Sequence, residues 1–134
     1  MKPKLLILGL LSFCALFSAC SSIAPYREPA FSGYESPYPK GSAVAISPAM
    51  ERDAIRSLQA YLRKQYGDDR FEITARRSFG PLKSFIIDSK GRLVSGDLHE
   101  IWTIDIFGTL TEHEFIMYPD GKGGNYVGFR EYEK

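Results

Sequence analysis

With 134 residues, 44% of them hydrophobic, and a formal net charge of +1, the chain has the length of one domain and enough apolar side chains for one small core. Its 17 Lys and Arg are balanced by 16 Asp and Glu, which excludes the concentrated basic surface needed to neutralise nucleic-acid phosphates. Nine Phe, eight Tyr and one Trp give that core its bulk.

Lys2 and Lys4 precede an almost wholly apolar run from Leu5 to Phe17, and Ser18-Ala19 then stands before Cys20. Charged, then apolar, then small is the order of an export signal. About 13 apolar residues fall short of the roughly 20 that a membrane-crossing helix needs. No later stretch is longer, so no integral span is expected. With a cysteine directly after Ser18-Ala19, residues 1–19 resemble a bacterial lipoprotein signal peptide. The resemblance implies cleavage before Cys20, diacylglycerol on its sulfur and a lipid-anchored mature protein. Ser21, where Asp would retain the protein on the inner membrane, implies sorting to the outer membrane, with the domain facing the periplasm. Ala19 suits the protease, Phe17 stands where Leu is usual, and Cys14 follows the bulky Phe13 and is the poorer candidate. The alternative is a plain secretory signal with an incidental cysteine. Two or more acyl chains hold a protein stably on a bilayer. Cleavage would take Lys2, Lys4 and Cys14 away and leave a formal charge of −1. With Cys20 acylated, no disulfide is expected.

Residues 20–46 carry Pro25, Pro29, Pro37 and Pro39 with Gly33, Gly41 and several serines, and read as an extended tether. Tyr26, Phe31, Tyr34 and Tyr38 in that stretch are expected either to dock on the folded part or to be read by a partner. The folded domain is expected over 47–134. Ser47-Pro48 predicts the start of a helix, serine as N-cap and proline at the first helical position. The helix should run to about Tyr66, with Gly67 as C-terminal cap. Met50, Ala54, Ile55, Leu58, Tyr61 and Leu62 form its apolar stripe, and Arg52, Arg56, Arg63 and Lys64 lie outside it.

Phe71, Ile73 and Ala75 alternate with Glu72, Thr74 and Arg76, which predicts a half-buried strand ended by Gly80-Pro81. Leu82 to Ile87 predicts a second strand, followed by an Asp88-Ser89-Lys90-Gly91 turn, Arg92 to Val94, and a break at Gly96. His99 to Phe107 and Leu110 to Tyr118 predict a hairpin closed by Gly108-Thr109. That turn sets Trp102 opposite Phe115, Ile104 opposite His113 and Asp105 opposite Glu112, with the Trp102 side as core. Asp120-Gly121-Lys122-Gly123-Gly124 leads to a last strand, Tyr126 to Tyr132. The fold class expected is α+β, one amphipathic helix packed on a four- or five-stranded antiparallel sheet. Residues 100–124, with Trp102-Thr103, the glycine turn and Tyr118-Pro119-Asp120-Gly121-Lys122, resemble small envelope lipoproteins. In those chains a cysteine often stands where this one has Phe107, so a redox role there does not carry over.

The chemistry-bearing residues are few. His99 and His113 fall on opposite sides of the predicted hairpin, so no metal site is expected, and no cofactor. The glycine-rich loop leads into a strand, whereas a phosphate cradle wants a helix there. No thiol, Gly-x-Ser-x-Gly sequence or serine beside a histidine suggests a nucleophile, and no catalytic residue is assigned. Asp105 with Glu112 is the one carboxylate pair that could serve a glycan hydrolase. The function expected is therefore binding, as an accessory module for another envelope protein. An inhibitor or immunity protein against a periplasmic enzyme is the alternative, and a small hydrolase the weaker one. The candidate surface is the C-terminal strand as a sheet edge, with Tyr126, Phe129 and Tyr132 as anchors.

Overall fold

A computed structural model describes residues 33–134; the export signal, Cys20, Tyr26 and Phe31 lie outside the described residues. Helix α1 spans Pro48–Tyr66. The Ser47 hydroxyl accepts the Met50 N–H at 3.3 Å, Pro48 occupies the first turn, and Gly67 closes the helix with φ 74°, a left-handed conformation that glycine adopts without a Cβ clash. Met50, Ala54, Leu58 and Leu62 are fully buried, and Ile55 and Tyr61 pack at their margin. Among the described residues no helix is long and apolar enough to cross a membrane.

Six strands follow: β1 (Glu72–Ser78), β2 (Ile86–Ile87), β3 (Leu93–Ser95), β4 (Leu98–Ile106), β5 (Thr109–Pro119) and β6 (Asn125–Glu131). Four form an antiparallel sheet in the order β1-β4-β5-β6, and β2 and β3 make a separate two-stranded ribbon. The fold is α+β, with a sheet of four strands and a satellite pair. Leu82, expected in a strand, is exposed and outside β2. The inner face of the sheet and the stripe of α1 contribute to one core, in which Trp102 lies 4.9 Å from Phe115 and 5.2 Å from Phe129 between ring centroids.

Two local irregularities shift side chains from where simple alternation put them. In β1, Ile73 faces Ile104 while Ala75 already faces Thr103. Two residues of β1 therefore span one step of β4, the signature of a bulge. Beyond it the faces exchange, so that Ala75 is exposed and Arg76 is buried. In the hairpin the turn residues are Phe107 and Gly108, with φ 54° and 85°, one position earlier than expected. Asp105 Oδ1 accepts the Gly108 N–H at 2.8 Å and holds this turn. The register moves by two residues: Trp102 faces His113, Asp105 faces Leu110, and Glu112 faces Thr103. An even shift preserves the faces, so Trp102 stays inside although each predicted pairing changes.

The segment before α1 packs on the domain, in line with the docking reading of Tyr38. Val44, in a 3-10 turn over Ala43–Ile46, is fully buried, and Tyr38 packs partly against the core. Arg76, arriving from the bulge, meets Glu51 of α1 at 2.8 Å with both side chains almost wholly buried. It also donates to the Pro39 carbonyl at 2.9 Å and stands 4.9 Å from the Trp102 ring. Ser36 bonds the other oxygen of Glu51. Residues 36–46, read as tether, are thus stitched to the domain by buried polar groups.

Candidate functional site

The inner face is occupied, and its polar residues are accounted for. Glu100 accepts from the Ser42 hydroxyl at 2.6 Å, the Ala43 N–H at 2.8 Å and the Trp102 indole at 2.8 Å. Burial pushes its carboxyl above the usual range, against these bonds and the Arg76 charge. His113, fully buried, has the Tyr61 hydroxyl 3.1 Å from Nδ1 and the Thr111 hydroxyl 2.6 Å from Nε2. Thr111 also reaches the Ile104 carbonyl. Both ring nitrogens therefore have a hydroxyl partner.

Burial also pushes the His113 imidazole below its ordinary value of 6.5, despite the nearby Glu131. Below that pH the unfolded chain takes up a proton that the folded chain refuses, so the contribution of His113 to stability is present above about pH 6.5 and lost as pH falls. We expect urea midpoints to decline from pH 7 towards 5, at no more than about 1.4 kcal/mol per pH unit from this residue. His113→Gln should flatten the decline. Glu100 works in the opposite direction, gaining a proton in the folded state before it would unfolded.

The outer face of the sheet is open in part: among the described residues Ile116, Tyr118 and Tyr126 are exposed on it. Its central residue, Ile101, is buried, and around it stand the even-numbered side chains of β5 and β6. Glu114 bridges His99 Nε2 at 2.8 Å and Arg130 Nε. The Arg130 guanidinium, and then the bond from His99, holds the Glu114 carboxyl below the usual range, against its desolvation. Phe79 lies parallel to the His99 ring at 4.3 Å and edge-on to Tyr132 at 5.9 Å. At the far end Tyr118 and Tyr126 stack at 4.7 Å. Between them lies a groove of about 240 Å³ walled by His99, Glu114, Ile116, Tyr126 and Arg130 over Gly128. A shallower one continues past Glu114 and Arg130 to Phe79 and Tyr132. Two aromatic pairs thus flank a charge cluster that neutralises itself.

Of the three residues singled out from sequence, Tyr126 is 47% exposed on this face and Tyr132 lies at its opposite end. Phe129 turns inward, 6.0 Å from Tyr61 and against Trp102, so the three do not share a patch. His99 and His113 face opposite sides, as the alternation required, and among the described residues no three metal-ligating side chains cluster. Asp105 and Glu112 are not opposed. Glu112 is paired with Lys134 at 3.0 Å and Arg77 at 3.5 Å. Asp120 closes its own loop by accepting the Lys122 and Gly124 N–H groups. Phe79, Tyr118, Glu114 and Arg130 were not anticipated, although the parity of β5 and β6 already places Tyr118 with Tyr126 and Glu114 with Arg130. No family model, curated protein or solved structure matches the chain.

Proposed function

We propose that the chain is a lipid-anchored lipoprotein of the bacterial outer membrane whose domain recognises another envelope protein, with no metal or cofactor required. The observation that supports the binding reading is the part of the outer face that stays open among the described residues. Tyr118 and Tyr126 are 41% and 47% exposed, in a sheet whose other face is fully engaged in the core. Exposed tyrosines beside apolar Ile116 and a paired arginine are the side chains that concentrate in the buried centres of protein interfaces. The anchor rests on the order of residues 1–20, with Cys20 as the acylated position.

Capture from detergent-solubilised envelopes tests the binding half. The double variant Tyr118→Ser, Tyr126→Ser should lose at least about thirtyfold in recovered partner, the effect of removing one strong interface anchor, with its circular dichroism unchanged. Equal recovery by the folded variant would remove the outer face from the proposal. Detergent phase partition tests the anchor. The Cys20→Ser protein should be found as uncut precursor or in the aqueous phase, and processed protein still in the detergent phase would overturn the lipoprotein reading.

A further inference from the structure

Among the described residues, strand β6 has a neighbouring strand on one side only. Asp120 N–H donates to Gly124 at 3.1 Å and Tyr132 N–H to Glu112 at 3.0 Å, which sets the hydrogen-bonding phase along the β5–β6 pair. Tyr126, Gly128 and Arg130 bond to β5, and Val127 and Phe129 turn their N–H and C=O groups to the open side. The strand has no proline, lysine or bulge to guard that side, the devices by which edges normally avoid pairing. Its two charges are already engaged, Arg130 with Glu114 and Glu131 with the Tyr66 hydroxyl.

We propose that β6 pairs antiparallel with β6 of a second copy about a twofold axis at Gly128, joining two four-stranded sheets into one of eight. The argument is self-complementarity, which an interface between identical surfaces demands. With Gly128 opposite Gly128, Val127 faces Phe129 of the other copy, and each such pair exchanges two backbone hydrogen bonds. On the inner face the row across the junction reads Phe115, Phe129, Val127, Met117, apolar throughout. On the outer face it reads Glu114, Arg130, Tyr126, Tyr118, so the guanidinium of one copy meets the tyrosine pair of the other as a cation over a ring. The neighbouring registers lose this match. Centring on Val127 sets Phe129 against Asn125, and centring on Phe129 sets Glu131 against Val127. Because Gly128 has no side chain, the two outer grooves run together across the axis.

Single cysteines at 126, 127, 128, 129 and 130 in the full chain, with Cys14 and Cys20 changed to serine, test the register under mild oxidation in detergent. Residues opposite themselves at a non-hydrogen-bonded position lie about 4.5 Å apart at Cα, within disulfide reach. Gly128→Cys should give the disulfide dimer as the main product and the other four positions little. The same chain without added cysteine should sediment as a dimer, and Val127→Pro, which removes an edge donor, should shift it to monomer with its helix content unchanged. A dimer cross-linking best at 127 or 129 would overturn the register. A monomer at the highest concentration examined, or a dimer indifferent to Val127→Pro with no cross-link at 128, would overturn the pairing. The test needs no partner protein, so its failure leaves the partner-binding reading standing and the converse also holds.

Discussion

Replacing Trp102 with alanine is expected to cost about 3–5 kcal/mol, a large share of the 5–15 kcal/mol that holds a domain of this size together. The indole is fully buried, stacks on Phe115, meets Phe129 edge-on and lies beneath the Arg76 guanidinium. Its removal opens a cavity that several rings, each fixed by other neighbours, are poorly placed to fill. A second loss adds to the first, since the indole N–H is one of three donors that solvate the buried Glu100 carboxyl. A buried polar group deprived of a partner costs more than a bond was worth. Urea unfolding followed by circular dichroism measures the effect, and Trp102→Phe, which keeps most of the volume, should recover part of it. A Trp102→Ala protein with an unchanged midpoint would contradict the core described above.

The second large effect is expected at the buried ion pair. Arg76→Ala should destabilise by about 3–5 kcal/mol because it leaves Glu51 desolvated and without its cation. Glu51→Ala should do comparable damage from the other side. Replacing both together, Arg76→Met with Glu51→Leu, should cost much less than the sum, since a buried pair exchanged for apolar side chains is often close to neutral. The double-variant cycle separates this from a simple packing defect. Additive losses would mean that the two charges do not depend on each other. Ser36 and the Pro39 carbonyl share the same two side chains, so proteolysis before residue 46 should accelerate in either single variant.

What could be read from sequence divides along a physical line. The helix was legible to its caps because Ser47, Pro48 and Gly67 act through local backbone chemistry that no distant residue overrides. The faces of β4 and β5 were legible because side-chain alternation survives any even change of register. The register itself was not. A glycine placed first in a two-residue loop suggested Gly108-Thr109, whereas the turn begins at Phe107, a residue that rarely takes positive φ and is held there with Asp105 bonded to the next N–H. Nor was the bulge after Ile73 legible, and with it went the inward turn of Arg76. A charged residue in an alternating pattern is assigned to solvent until its buried partner is known, and Glu51 sits 25 positions away. Docking of Tyr38 was one of two readings open from sequence, but the polar fastening of residues 36–46 was not legible, because the groups that hold them, Glu51, Arg76 and Glu100, come from three other elements. The candidate site suffered in proportion. Tyr126 was found, but Phe79 and Glu114 join it only through strand order.

The stitching of residues 36–46 also limits how far the domain could stand from an anchor at Cys20. With the domain taken to start at Ser47, some 25 residues would separate it from an anchor at Cys20. Ser36 is already fastened to Glu51, which leaves about 16 residues. Sixteen residues span at most about 55 Å however they are arranged. For an anchor at Cys20, the domain would stand within that distance of the membrane, and anything it held would have to come within the same radius.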